Sequence, residues 1–259
     1  MTAEKSVNLS ALMYHGIVSA GVATPDDREV GAELYDMPVA HFKAQMEYLK
    51  NRNYKVVVNG TGAEMGNHVI ITFDDGEMNN FDLAFPVLRG LGFKAYFFII
   101  AARVGRKGYM GMAEMKALHG AGMIIGSHGL SHEILTNLKE TQIEEELTAS
   151  KKYLERNLEI PIEALSVPRG FCNDKIIQMA YTAGYKTVFI SERPKRLKVE
   201  CIDRIPVKGH WSLQRFEQAL TGNVPWGEKI GEQAKQSAKF ILREGGYNWV
   251  RSVILKLVK

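Results

Sequence analysis

The sequence predicts an α/β fold in which parallel strands close into a distorted (β/α) barrel. Three observations lead there. Short β-rich apolar runs alternate with helical patterns along most of the 259 residues, the signature of parallel strands joined by right-handed crossovers. Eight such runs fall between residues 11 and 207, more in keeping with a closed ring than with an open sheet. No repeat, low-complexity tract or Pro/Gly linker divides the chain, and α/β barrels of this length are routinely one domain.

Taken in order, strands are expected over 11–15, 55–58, 68–73, 94–100, 123–128, 164–167, 186–190 and 202–207. Each is a short run rich in β-branched and aromatic residues. Helices are expected over 41–52, 81–91, 113–120, 141–157 and 175–183, where apolar residues recur at helical spacing. In "TQIEEELTASKKYLERN", for example, Ile143, Leu147 and Leu154 line one face and charges cover the other. Gly92, Gly120 and Gly184 stand where helix C-caps belong. The chain is thus read as one domain over 1–259, with its motifs in 12–207 and a helical C-terminal extension over 212–259. In that extension Tyr247, Val250, Ile254 and Leu257 share a face beside Arg251, Lys256 and Lys259. A helix packed on the barrel is the favoured reading of this face; weak association with a membrane surface is the other.

Composition narrows the function classes. Net charge is +4 at a sequence pI near 8.9, too mild an excess for a nucleic-acid binder. The densest basic run, Arg193, Lys195, Arg196 and Lys198, reads as a solvated loop before it reads as an anion site. The first ten residues carry no apolar leader pattern, and no apolar run reaches the ~18 residues of a membrane span. With only two cysteines, Cys172 and Cys201, the expectation is a reduced, cytoplasmic setting, at most peripheral to the membrane.

Chemistry gathers at strand ends. "VIITFDDG" ends a buried run with adjacent carboxylates, Asp74 and Asp75, whose charges repel unless a cation lies near them. "MIIGSHGLSH" ends another strand at His128, with His132 four residues on, a spacing that suits one helical face or a loop-to-helix entry. Parallel barrel strands open on one rim. Two histidines and one carboxylate meeting there would make an open site for Zn²⁺ or a similar cation.

These stretches carry a resemblance. "TFDDG" at 72–76, "SHGLSHEIL" at 127–135 and "PRGFCN" at 168–173 resemble, in order and separation, the first three motifs of the polysaccharide deacetylase family. This is the NodB-homology group, carbohydrate esterase family four. "LMYHG" and "RIPV" resemble a branch associated with surface-polysaccharide biosynthesis. The resemblance spans about residues 12 to 207 and implies a NodB-type barrel and a divalent metal, usually Zn²⁺, with Co²⁺ or Ni²⁺ as alternatives. It implies Asp75, His128 and His132 as metal ligands and Asp74 as catalytic base. The reaction implied is removal of an N-acetyl group from an amino sugar in a polysaccharide or its precursor, whether polymer, lipid-linked or nucleotide-linked. A backbone N–H near Arg169 would stabilise the oxyanion.

The family pattern is not complete. Gly129 stands where Ser or Thr follows the first histidine. Alignment on Gly170 puts Ser166 where the family has an arginine that steadies the base, and leaves Arg169 as its shifted replacement or as a substrate contact. The Asp-x-x-Asp-Trp and Leu-x-His motifs are missing, and with them the usual acid histidine; His15, ending the first strand, and His210, in "VKGHWSL", are the candidates. His41, His68 and His119 are read as structural, Cys172 as no nucleophile, and Met110, Met112 and Met115 as core. Trp211, Trp226 and Trp249 could face sugar rings, with packing as the default. Two rival readings stay open: hydrolysis of another small amide, such as a formamide or cyclic amide, and a carbohydrate-binding pseudoenzyme.

Overall fold

The computed structural model describes residues 8–29, 31–58, 66–191 and 197–223. Trp226, Trp249, most of the basic run at 193–198 and the amphipathic stretch 247–259 therefore lie outside the described residues. The first strand, β1 (Asn8–Tyr14), leads to a small pair formed by β2 (Ile17–Val18) and β3 (Met37–Pro38), and then to α1 (Val39–Asn51). β4 (Lys55–Val56) and β5 (Asn67–Phe73) follow, then α2 (Phe85–Leu91), β6 (Tyr96–Ile99), α3 (Met112–Gly120) and β7 (Ile124–Ser127). The long α4 (Glu140–Leu158), β8 (Ala164–Ser166), α5 (Asp174–Thr182) and β9 (Thr187–Ile190) continue the alternation. β10 (Ile202–Asp203), β11 (Ile205–Pro206) and α6 (Leu213–Leu220) end it.

All these strands pair in parallel, and the ring runs β10, β9, β8, β7, β6, β5, β1, β11. It is nearly closed by one segment. The strand expected over 202–207 breaks at Arg204, so that Ile202 and Asp203 pair with Phe189 and Ile190 while Ile205 and Pro206 pair with Leu12 and Met13. The run expected over 55–58 is not an independent stave. It pairs only with the start of β5, at His68 and Val69, where β6 does not yet reach.

Side chains alternate between two cores, as a sheet buried on both faces demands. Val69, Ile71, Phe73, Phe97, Ile125, Leu165 and Val188 pack outward under the helices. Ile70, Tyr96, Phe98, Ala164 and Phe189 pack together inside the ring. The rings of Phe98 and Phe189 lie 5.2 Å apart and those of Tyr96 and Phe98 5.7 Å, so aromatics fill the barrel below its mouth. Met110 and Met115 are buried, and Met112 packs on the outer core. Trp211 is buried too, with the Arg215 guanidinium 4.3 Å from its ring centre.

Helix ends follow local chemistry. Asn173 caps α5 by accepting from Ile176 N at 3.0 Å, and Gly92 ends α2 in a left-handed conformation. After α3 it is Gly122, not Gly120, that turns left-handed, at φ 81°. The helix expected over 81–91 opens instead with a π-helical turn at Asn80–Ala84, a distortion that recurs at functional sites.

Gly126 on β7 shows how full the interior is: an added Cβ would stand 2.5 Å from the Phe98 ring and 2.9 Å from the Ala164 carbonyl oxygen. Gly126→Ala is expected to destabilise the protein by ~1–3 kcal/mol through overpacking, read from urea unfolding. An unchanged midpoint would mean the interior is looser than described.

Candidate active site

Asp74 and Asp75 leave the C-terminal end of β5 and separate at once. Asp75 adopts a left-handed backbone at φ 73°, followed by Gly76 at 74°, a conformation Asp tolerates better than most residues. Asp74 continues the inward alternation of Ile70 and Thr72. The next residues hold the neighbouring strand exit. Asn79 Oδ1 accepts from Ile17 N at 3.0 Å, and Asn80 Nδ2 donates to the His15 carbonyl at 2.7 Å.

Beyond β7, residues 128–134 form a loop that leads into a short 3₁₀ turn at Leu135–Asn137. Of the two settings left open for the histidine pair, it is the loop that is observed. Gly129 and His132 are left-handed at φ 78° and 70°. A Cβ at Gly129 would meet Glu146 Oε2 and Pro168 Cγ at 3.1 Å each, which accounts for glycine in place of the family's Ser or Thr. The buried Glu146 carboxylate fixes this loop by accepting from Leu130 N at 2.8 Å, from Ser131 N at 3.0 Å and from the Ser131 hydroxyl.

The loops bring Asp75, His128 and His132 together, with one ligand atom from each within 4.8 Å of the others. Both Nε2 atoms lie 3.5 Å from Asp75 Oδ1. That is too long for hydrogen bonds but close to the ~3.3 Å edge of a tetrahedral shell around zinc. Asp75 Oδ1 is buried without a hydrogen-bond partner, a costly state that a cation would relieve. The far ring nitrogens are engaged: His128 Nδ1 lies 2.8 Å from the Ser166 carbonyl, and His132 Nδ1 lies 2.6 Å from Glu29 Oε1. Bonds of this kind fix the tautomer and turn the Nε2 lone pairs inward. The residues present fit a divalent cation.

Burial pushes His128 down to about 4, outweighing the nearby Asp74 carboxylate, so its imidazole is neutral near pH 7. Burial also works against protonated His132, yet the Glu29 hydrogen bond raises it above the ordinary value. Burial favours the neutral form of Glu29 as well, but His132 and Arg103 together hold its carboxyl well below the usual range.

Asp74 is gripped by an arginine, and that arginine is Arg204. Its Nη1 and Nη2 donate to Oδ1 at 2.7 Å and Oδ2 at 2.8 Å, a bidentate pair. The same guanidinium donates to Thr72 Oγ1 at 3.0 Å, Ser166 Oγ at 2.8 Å and the Ile190 carbonyl at 3.3 Å. Ser166 Oγ adds a 3.2 Å bond to Asp74 Oδ2. Burial alone would raise Asp74, but Arg204, with His128 and His15, brings it well below the usual carboxylate range. The expectation that Arg169 replaces the displaced arginine is therefore corrected. Ser166 stands where that arginine would be, small enough for Arg204 to enter from the closing segment. Arg169 sits half-buried in the Pro168–Gly170 turn, left-handed at φ 58°.

His15 follows β1 at the barrel mouth, its ring 4.9 Å from that of Tyr35 and its Nδ1 buried without a partner. His210 is exposed, just beyond Gly209, whose N–H donates to the Leu34 carbonyl at 3.2 Å. His41 Nδ1 reaches the Gly209 carbonyl at 3.3 Å, and the buried His68 pairs with the Gly66 carbonyl at 3.2 Å; both are structural. Cys172 is half-buried against the outer core. Two contacts of the candidate site escaped sequence reasoning. The signal for Arg204 was a charge on the inward face of an apolar strand. Glu29, in an acidic loop without periodicity, offered none.

Arg204→Met strands the buried Asp74 charge and is expected to cost ~3–5 kcal/mol; adding Asp74→Asn should recover a large part. Urea unfolding of both variants checks this, and a loss below ~1 kcal/mol in the single variant would contradict the described pair.

With the geometry in place, comparison with known proteins adds four likenesses. The family profile described as polysaccharide deacetylase matches residues 61–188. YxkH of Bacillus subtilis (strain 168), named as a polysaccharide deacetylase, is 30% identical over 191 residues, covering 71% of this chain and 64% of its own length. A peptidoglycan-N-acetylglucosamine deacetylase of Bacillus cereus is 32% identical over 124 residues, covering 48% of this chain and 56% of its own. The chain thus spans less than two thirds of the length of either relative. The Streptococcus pyogenes deacetylase PplD, solved in complex with acetate, shares the fold. Its TM-score is 0.69 at 22% identity, over 82% of this chain and 97% of that one.

Proposed function

We propose that this chain, which belongs to the polysaccharide deacetylase family, is a metal-dependent hydrolase that removes the N-acetyl group from an amino sugar in a polysaccharide or its precursor. One observation carries the reading. Two imidazoles converge on an unpartnered buried carboxylate oxygen, while the adjacent carboxylate is kept ionised by an arginine. A pure binding module has no need of that division between Asp74 and Asp75. The name of the B. cereus relative points to N-acetylglucosamine as the sugar unit.

Asp75, His128 and His132 would hold the cation. When bound, it would supply the Lewis acidity that polarises an amide carbonyl and acidifies water. Asp74 takes the proton from the attacking water. Of a carboxylate's roughly four acceptor sites, Arg204 and Ser166 occupy three, which leaves capacity on Oδ1. Arg204 keeps Asp74 charged beside Asp75 at some cost in basicity, so proton transfer depends on positioning more than on a raised pKa. The departing amine needs a proton, since an amide anion is a poor leaving group. His15 is the better placed donor, because it follows β1 at the mouth, next to Tyr14, whose carbonyl accepts from Asp74 N at 3.0 Å. The exposed His210 is the second candidate. A backbone N–H near Arg169 remains the proposed oxyanion donor.

An N-acetylhexosamine oligomer incubated with and without chelator tests the reaction: acetate release lost on chelation and restored by zinc supports it. Release from a formamide or cyclic amide alone would favour the rival hydrolase. Binding without any release would favour the pseudoenzyme.

Asp74→Asn should retain its metal while losing ~10²–10⁴-fold in kcat; metal content that falls with activity would mean the two aspartates are exchanged. His15→Ala should lose the basic limb of the pH–rate profile with its metal intact, and His210→Ala should keep it. The reverse pattern would assign the acid to His210.

A further inference from the structure

Residues 25–29 lie along the turn formed by residues 101–110. Three oppositely charged pairs run between them in antiparallel register: Asp26 with Lys107 at 3.1 Å, Asp27 with Arg106 at 3.8 Å and Glu29 with Arg103 at 2.7 Å. Pro25 packs so closely on Gly108 that a Cβ there would stand 3.0 Å from its ring. Between Asp27 and Glu29, Arg28 turns the other way, to Asp36 and to the buried Glu77, its Nε 2.8 Å from Glu77 Oε1. The outer two pairs are exposed and contribute little; the inner contacts of Arg28 and Glu29 are half-buried or better.

The turn that this strap covers is itself tied to both loops of the site. Ala101 N and Ala102 N donate to the Gly129 and Leu130 carbonyls, Met110 N donates to Gly76, and Met78 N donates to Gly108. The strap then delivers one carboxylate inward. Glu29 Oε1 lies 2.6 Å from His132 Nδ1, whose other nitrogen faces Asp75.

We propose that Glu29 is a positioning residue for His132, so that docking of the 25–29 strap sets the affinity of the site for its cation. This rests on the reading of Asp75, His128 and His132 as the metal ligands. Glu29 accepts the Nδ1 proton, which fixes the tautomer with its Nε2 lone pair toward Asp75 and raises the electron density of the ring as a donor. Outer carboxylates of this kind commonly change metal affinity ~10–100-fold. Arg103 orients the Glu29 carboxylate from its other side.

The test is zinc affinity of the 259-residue chain, measured by competition with a chromophoric chelator and without reference to catalysis. Wild type is compared with Glu29→Ala, Glu29→Gln and Arg103→Met, with circular dichroism of each metal-free protein to confirm folding. The expected result is a ~10–100-fold weaker Kd in Glu29→Ala, a smaller loss in Glu29→Gln, whose amide oxygen can still accept, and the smallest in Arg103→Met. Wild-type affinity in folded Glu29→Ala overturns the proposal. So does a loss in Arg103→Met that matches Glu29→Ala while Glu29→Gln is unchanged, since the strap would then act only as packing. If Glu29→Ala does not fold, Glu29→Gln decides alone: wild-type affinity in it overturns the proposal. Wild type that binds no zinc overturns the metal reading and this inference together, a result distinct from intact affinity in the variant.

Discussion

Arg204 holds Asp74 at the one place where the barrel has to be closed. A guanidinium and a carboxylate taken out of water lose several kcal/mol of hydration each, which their attraction offsets only with good geometry and further hydrogen bonds. Here the pair is bidentate, and Thr72, Ser166 and the Ile190 carbonyl take up the remaining donors of Arg204. The Phe98 ring lies beneath the guanidinium, 5.6 Å from its centre. Arg204 is also the residue at which the last strand changes partner, from β9 to β1. Ring closure and the ionisation of Asp74 are therefore one event: a barrel that fails to close leaves a buried carboxylate uncompensated.

From that pair the rest of the site follows. With the Asp74 charge compensated by Arg204 from within the barrel, Asp75 turns outward through its left-handed backbone, and its Oδ1 is left facing two imidazoles. The histidine loop could not hold that arrangement by itself. Glu146 on α4 grips it from one side and Glu29 reaches it from the other. Strained or left-handed residues gather here, at Asp75, His132 and Arg169, as they do where surrounding structure over-determines a functional geometry. The aromatic cluster of Tyr96, Phe98 and Phe189 fills the barrel below the site.

The barrel and the candidate ligand cluster were legible in the sequence, the barrel through local regularity and the cluster because Asp75 and the His128–His132 pair each sit in a short motif at a strand end. Strand runs such as 68–73 carry their pattern within six residues, and His128 and His132 are separated by one short loop. What was not legible depends on distant partners. Arg204 and Asp74 are 130 residues apart, and motif alignment pointed instead to Arg169, the arginine inside the third motif. Glu29 meets His132 across 103 residues from a loop with no period. The π turn after Asn79 was invisible because its cause is tertiary: Asn79 and Asn80 are committed to the backbone at Ile17 and His15. The break at Arg204 in the last strand reflects closure of the ring, which no window of sequence contains.

Zinc-edge anomalous scattering from crystals of the zinc-loaded protein tests the central claim most directly. A site built as described gives one strong peak per chain, ~2.0–2.2 Å from Asp75 Oδ1, His128 Nε2 and His132 Nε2, with Asp74 still paired to Arg204 and not coordinated. A peak elsewhere, or one that takes Asp74 as a ligand in place of Asp75, would contradict the division of labour between the two aspartates on which the proposed chemistry depends.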